Sequence, residues 1–120
     1  MELLTSYPVK ISDLGFHGNL FGGQLLKILD WSAVAFASRK TMSPRMVTVS
    51  IDECNFIKSV GQGELINIYG DVSEIGNTSV NVKLAVKSYN VMSKSEETVL
   101  RTNMTFVRLD EDGNPERIPR

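Results

Sequence analysis

The sequence predicts an α+β domain in which a curved antiparallel β-sheet wraps around one long central α-helix. Three observations carry that expectation. Residues Gln24 to Ser38 read QLLKILDWSAVAFAS, with no Gly or Pro and only Lys27 and Asp30 charged, a helix roughly 24 Å long at ~1.5 Å per residue. Almost everything after it alternates apolar and polar residues, the period of strands with one buried face. A helix apolar nearly all round requires burial, and such a sheet offers the face for it.

Along the chain, Leu3 to Ile11 is moderately apolar and contains Pro8, which suits an edge strand. Asp13 to Gly23, DLGFHGNLFGG, holds four glycines in eleven residues and reads as a loop needing backbone conformations that other residues resist. The helix, roughly Gly22 to Ser38, is ended across Lys40 to Pro44, because a proline disfavours helix at the residue before it. Val47, Val49 and Ile51 alternate with Thr48, Ser50 and Asp52, and Glu53–Cys54–Asn55 reads as a bulge. Glu64 to Ile75 is a long strand, Gly76–Asn77 a tight hairpin turn, and Val80, Val82, Leu84 and Val86 the cleanest alternation. A polar loop, Asn90 to Glu97, leads to a last strand, Thr98 to Arg108, and a polar, frayed tail. One domain over residues 1–120 is expected, with no repeat and no linker. Some helix surface is left uncovered, so a dimer or higher oligomer is expected too.

Composition narrows the chemistry. Thirteen basic and 14 acidic residues give a net charge of −1, with no basic field for nucleic acid. No apolar run approaches the ~18 residues of a membrane span, and MELLTSYPVK lacks the charged start of a leader. One cysteine, Cys54, and one histidine, His17, leave no internal disulfide and no expected metal site. The expected setting is the cytoplasm, with chemistry run on carboxylates, hydroxyls, His17 and backbone dipoles.

Asp30 is the out-of-place acid. It lies about 40° round the helix from Leu26 and within about 60° of Ala33 and Ala37. Burial would cost several kcal/mol unless the carboxylate is paired or solvated, and would suit a general base. The competing reading is an i, i+3 ion pair with Lys27 at the rim of the core, and periodicity alone favours it. Gly22 and Gly23 at the helix start present backbone N–H groups able to bind a carbonyl oxygen or phosphate, or else form only a tight turn. The pair and Asp30 stand roughly 10–12 Å apart along the axis. A reacting carbon must lie about 3 Å from both donor and nucleophile, so cooperation requires the helix start of one chain to face Asp30 of another.

The run from His17 to Lys40, HGNLFGGQLLKILDWSAVAFASRK, resembles the signature of hot-dog-fold acyl-CoA thioesterases. That signature is a Gly-rich loop, an F-G-G helix start, and an Asp seven residues after the second Gly; Gly22, Gly23 and Asp30 fit it. The resemblance continues through VTVSIDECNFIKSVGQGELINIYGDV (Val47 to Val72), IGNTSVNVKL and MTFVRLDEDGNP, nearly the whole chain in order. It is similar to the short single-domain bacterial acyl-CoA hydrolases and to single domains of the tandem animal enzymes.

The resemblance implies hydrolysis of acyl-CoA to a carboxylic acid and coenzyme A at a site between subunits, with no metal and no cofactor beyond the coenzyme A of the substrate. Asp30 would activate water as general base, or act as nucleophile through an anhydride, and the Gly23 N–H would polarise the thioester carbonyl. Many relatives carry Asn where this chain has Gly15; His17 and Asn19 stand nearby to bind water or the carbonyl instead. The family's Pro after Lys58 is Ser59 here, and the Arg of its R-T-S turn is Asn77. Lys58, Asn77, Thr78 and Ser79 are candidates for the coenzyme A channel, whose phosphates want cations and donors. His17 is either a residue that orients water or a loop histidine that caps its turn. Thr48 or Ser50 contacts water near Asp30, or is merely solvated. Cys54 reads as a small buried side chain, and Trp31 as an interface residue or a wall of the acyl pocket. Two alternatives remain open: a hot-dog hydratase or dehydratase pairing His17 with Asp30, and a non-catalytic acyl-CoA-binding domain.

Overall fold

Residues 1–120 are described by the computed structural model. β1 (Glu2–Pro8) leads through a short 3-10 turn (Ile11–Asp13) and the glycine-rich loop into α1 (Gly22–Thr41). Four strands follow: β2 (Met46–Ile51), β3 (Leu65–Ile75), β4 (Ser79–Asn90) and β5 (Ser95–Arg108). They form one antiparallel sheet in the order β1-β3-β4-β5-β2, and α1 touches all five strands. The helix-in-curved-sheet architecture is the one the sequence predicts. No helix is long and apolar enough to cross a membrane.

The core forms where the two periodicities meet. Leu25, Ile28, Leu29, Ala33, Phe36 and Ala37 recur at helical spacing and are buried. They pack on Ile66 and Ile68 of β3, Val80, Val82, Leu84 and Val86 of β4, and Leu100, Met104 and Phe106 of β5. α1 presents one stripe to solvent. It is Lys27, Trp31, Ala35 and Arg39, the i, i+4 row opposite the core, whereas Gln24 and Ser38 are half-buried.

Several boundaries move, each for a local reason. The helix runs three residues past Ser38 because Thr41 donates its hydroxyl to the Ala37 carbonyl at 2.7 Å. It stops at Met42, which takes a left-handed conformation (φ 52°). Glu53–Cys54–Asn55 is not a strand bulge: β2 ends at Ile51, and the irregularity falls between Thr48 and Ser50. The loop expected over Asn90 to Glu97 shrinks to four residues. Ser95, Glu96 and Glu97 pair with Asn90, Tyr89 and Ser88, since a backbone ladder needs no apolar side chains. Nor is the tail frayed: Ile118 is 1% exposed, and its N–H donates to the Asn77 carbonyl at 2.9 Å.

Candidate active site

The start of α1 is left open by its sequence. Phe21 occupies the N-cap position with no capping side chain, and the N–H groups of Gln24 and Leu25 both donate to its carbonyl. The amides of Gly22 and Gly23 precede the first intrahelical bond and have no acceptor within the chain. A Cβ at position 23 would lie 2.8 Å from Cε2 of the exposed Phe21 ring, so any larger residue there displaces that ring.

The preceding loop folds against this end. Gly18 sits at φ 85°, a conformation natural only to glycine, and Gly15 and Asn19 are joined by an N–H···O bond of 2.8 Å. His17 accepts the Asn19 N–H at Nδ1, 3.1 Å away, so a neutral imidazole carries its proton on Nε2. A Cβ on Gly15 would lie 3.0 Å from that Nε2; the histidine ring takes up the space beside the glycine. His17, Asn19 and Gly22 line a cleft of about 350 Å³ together with Phe56, Ile57, Lys58 and Val99. Val99 reaches the cleft through a register shift in β5 between the pairs Val86–Leu100 and Lys87–Thr98, and its carbonyl holds the Ile57 N–H at 2.9 Å.

Asp30 lies further along the helix, half-buried, and does not line this cleft. Its partner is not Lys27, whose ammonium stands 4.8 Å from the centre of the Trp31 ring. Instead the Thr48 hydroxyl on β2 donates to Asp30 Oδ1 at 2.7 Å. One carboxylate oxygen is thereby oriented while the other makes no bond within the chain. Gly23 and Asp30, seven residues apart, sit on the same side of α1, separated by roughly 10 Å along the axis.

The candidate coenzyme A residues divide between the two ends of the molecule. Lys58 borders the cleft, with its ammonium 3.7 Å from Glu64 Oε1. Asn77, Thr78 and Ser79 form the β3–β4 turn at the far end, where the Thr78 carbonyl accepts the Arg108 N–H and Arg108 in turn reaches the Met42 carbonyl at the C-terminus of α1. Within one chain they do not meet Lys58. Trp31 is exposed, and Cys54 is half-buried against the core, where burial raises its thiol pKa. Neither belongs to the cleft, and no cluster of side chains has the composition of a metal site.

Sequence reasoning passed over Asp13. It is 2% exposed, the most deeply buried acid in the chain. Tyr7 donates its hydroxyl to both carboxylate oxygens at 2.9 Å, the Lys10 N–H donates at 2.9 Å, and Gln24 Nε2 donates at 3.0 Å. Burial alone would raise its pKa; the bonds from Lys10, Tyr7 and Gln24 outweigh that and hold it below the usual carboxylate value. The signal was a single acid at the start of the glycine-rich loop, too weak to read without Tyr7 beside it.

Comparison with known proteins places this geometry. Residues 17–94, well over half of the chain, match the family model described as Thioesterase superfamily. An uncharacterized acyl-CoA thioester hydrolase of Haemophilus influenzae is 30% identical over 112 residues, covering 91% of this chain and 72% of that protein. The uncharacterized acyl-CoA thioester hydrolase YkhA of Bacillus subtilis is 32% identical over 108 residues, covering 90% of this chain but 62% of its relative. The hexameric hotdog fold thioesterase of Campylobacter jejuni superposes with a TM-score of 0.88 at 29% identity, covering 99% of this chain and 91% of that one. The fold is therefore the hot-dog fold.

Proposed function

The chain belongs to the thioesterase superfamily, and from that premise we propose that it hydrolyses acyl-CoA thioesters to a free carboxylic acid and coenzyme A. The observation that carries the proposal is the Thr48–Asp30 bond of 2.7 Å. A half-buried carboxylate with one oxygen fixed by a hydroxyl and the other free is arranged to take a proton from water. The relatives named as acyl-CoA thioester hydrolases support the substrate class.

The reaction follows from the parts. Asp30 removes a proton from a water molecule as its oxygen bonds to the thioester carbonyl carbon. The oxyanion that forms is held by the amide of Gly23, with Gly22 beside it, where the helix start is positive. Collapse breaks the C–S bond and expels the coenzyme A thiolate, which takes up the proton that Asp30 held. His17 and Asn19, which line the cleft with Gly22, orient the water or the carbonyl. No metal or further cofactor enters these steps.

The roughly 10 Å between Gly23 and Asp30 means that the two serve one carbonyl only across a subunit boundary. The β2 edge of the sheet supports this arrangement. β2 pairs with β5 on one side only, and it exposes Val47, Val49 and Ile51, an edge that invites a second copy. A partner placed there lies beside Thr48 and Asp30. We assign Asn77, Thr78 and Ser79 of the partner's β3–β4 turn to the coenzyme A channel beside the cleft that Lys58 borders. The C. jejuni relative is hexameric; a dimer is the smallest assembly that completes the site.

The test is thiol release from a series of acyl-CoAs. Asp30→Asn is expected to fold and assemble as the wild type does and to lose at least ~100-fold in rate, the scale of a lost general base. Near-wild-type turnover in that variant would overturn the assignment. Loss of enoyl-CoA absorbance without thiol release would indicate a hydratase, and binding without turnover a non-catalytic domain.

A further inference from the structure

Gly22 and Gly23 are the two most freely rotating residues in the first turn of α1, and no side chain caps them. Yet a role in holding an oxyanion needs their amides aimed to within a fraction of an ångström, since ~1 Å of misplacement costs on the order of 100-fold in rate. Something other than the helix must fix them. On the residue before the pair, the Phe21 N–H donates to the backbone carbonyl of Asp13 at 2.9 Å. On the residue after it, Gln24 Nε2 donates to the carboxylate of the same Asp13 at 3.0 Å. The glycine pair is bracketed by one residue.

Asp13 is itself held on several sides. It is 2% exposed, and Tyr7 on β1 and the Lys10 N–H hold its carboxylate from the sheet side. We infer that Asp13 is the positioning residue of the site. Through Phe21 and Gln24 it ties the two glycine amides to strand β1, so that Tyr7, Asp13 and Gln24 set the direction of the oxyanion donors without touching substrate. A residue needed only to close the loop would require the Phe21 bond alone. The second bond, to a side chain in the first helical turn, has no use in closing the loop. This inference rests on the proposed role of Gly22 and Gly23.

Asp13→Asn would put an amide N–H₂ among three donors, and its expected consequence is misfolding, so the test acts at Gln24. Gln24→Ala removes one arm of the bracket and leaves the Tyr7, Lys10 and Phe21 bonds in place. Its kcat on a short acyl-CoA should fall about tenfold, with KM, the affinity for free coenzyme A and assembly unchanged and the melting temperature within a few degrees. Gln24→Lys returns a donor to the carboxylate and should recover most of the lost kcat. An unchanged kcat in Gln24→Ala overturns the inference. So does a fall in which kcat, KM and melting temperature move together and lysine restores nothing. Asp30→Asn, assayed alongside, tells the two failures apart: if it loses rate while Gln24→Ala does not, only the positioning role is wrong. If Asp30→Asn keeps wild-type turnover, the reading of the site falls and takes this inference with it.

Discussion

The two ends of α1 are finished in opposite ways. At the C-terminal end the loose groups are closed. Ser43 N–H and Met42 N–H both donate to the Ser38 carbonyl, Thr41 is bonded to Ala37, and Arg108 reaches over to the Met42 carbonyl and the Ser43 hydroxyl. Thr41 and Ser43 are each 3% exposed. At the N-terminal end two amides are left without an acceptor, beside a cleft, under an exposed aromatic ring. A helix end needs caps for stability, so the contrast sets a closed, structural end against the open end to which we assign the chemistry. Even the stabilising residues differ: Asp13 holds the open end by bracketing it, not by capping it.

The largest effect should come from the open end. Gly23→Pro removes the amide at a first-turn position where the helix loses no internal hydrogen bond; thiol release should fall on the order of 100-fold, the scale of a lost oxyanion donor. Gly23→Ala is the control, because it displaces the Phe21 ring but keeps the N–H, and should lose much less. Equal losses in the two would mean that Phe21 packing, not the amide, is what the glycine serves.

The closed end should answer in stability instead. Ile118→Ala empties the pocket that anchors the tail against the β3–β4 turn, and should cost about 2 kcal/mol in denaturant unfolding, with kcat preserved. A drop in kcat matching that of Gly23→Pro would erase the contrast between the ends. The smallest effect concerns acid. The folded pKa of Asp13 is depressed, so its contribution to stability is present above the ordinary carboxylate pKa of about 3.9 and is lost as pH falls through the folded value. Acid unfolding followed by circular dichroism should therefore steepen below about pH 4. A Tyr7→Phe variant, with a weaker grip on the carboxylate, should begin to unfold at higher pH, and identical acid curves would show that the bond contributes nothing.

The same contrast explains what the sequence made legible. Periodicity reports burial, so α1, β3, β4 and the Gly76–Asn77 turn were readable from residues such as Leu25, Ile28, Val80 and Val82. Partnership is not periodic. Lys27 was the neighbour of Asp30 by spacing, but Trp31 takes its ammonium and Thr48, from a strand the helical wheel cannot see, takes the carboxylate. Asp13 looked like loop polarity because Tyr7 and Gln24 converge on it only in three dimensions. Ile118 was one apolar residue in a polar tail, a signal with no period, and it turned out to be the peg of that tail. Ser95 to Glu97 looked like loop because a long hairpin can carry polar residues on backbone pairing alone. The open amides of Gly22 and Gly23 were legible as a motif, but the bracket that aims them was not.

In the proposed site Gly23 of one subunit and Asp30 of another serve the same thioester. Subunit mixing tests this sharing most directly. Asp30→Asn and Gly23→Pro chains, differently tagged, are each nearly inactive and are refolded together in equal amounts. Random pairing makes half of the dimers mixed, and each mixed dimer holds one complete site. Sites shared between subunits should recover about a quarter of wild-type thiol release, tracking the doubly tagged species. Activity in the isolated mixed species no higher than that of the two variants alone would contradict the sharing.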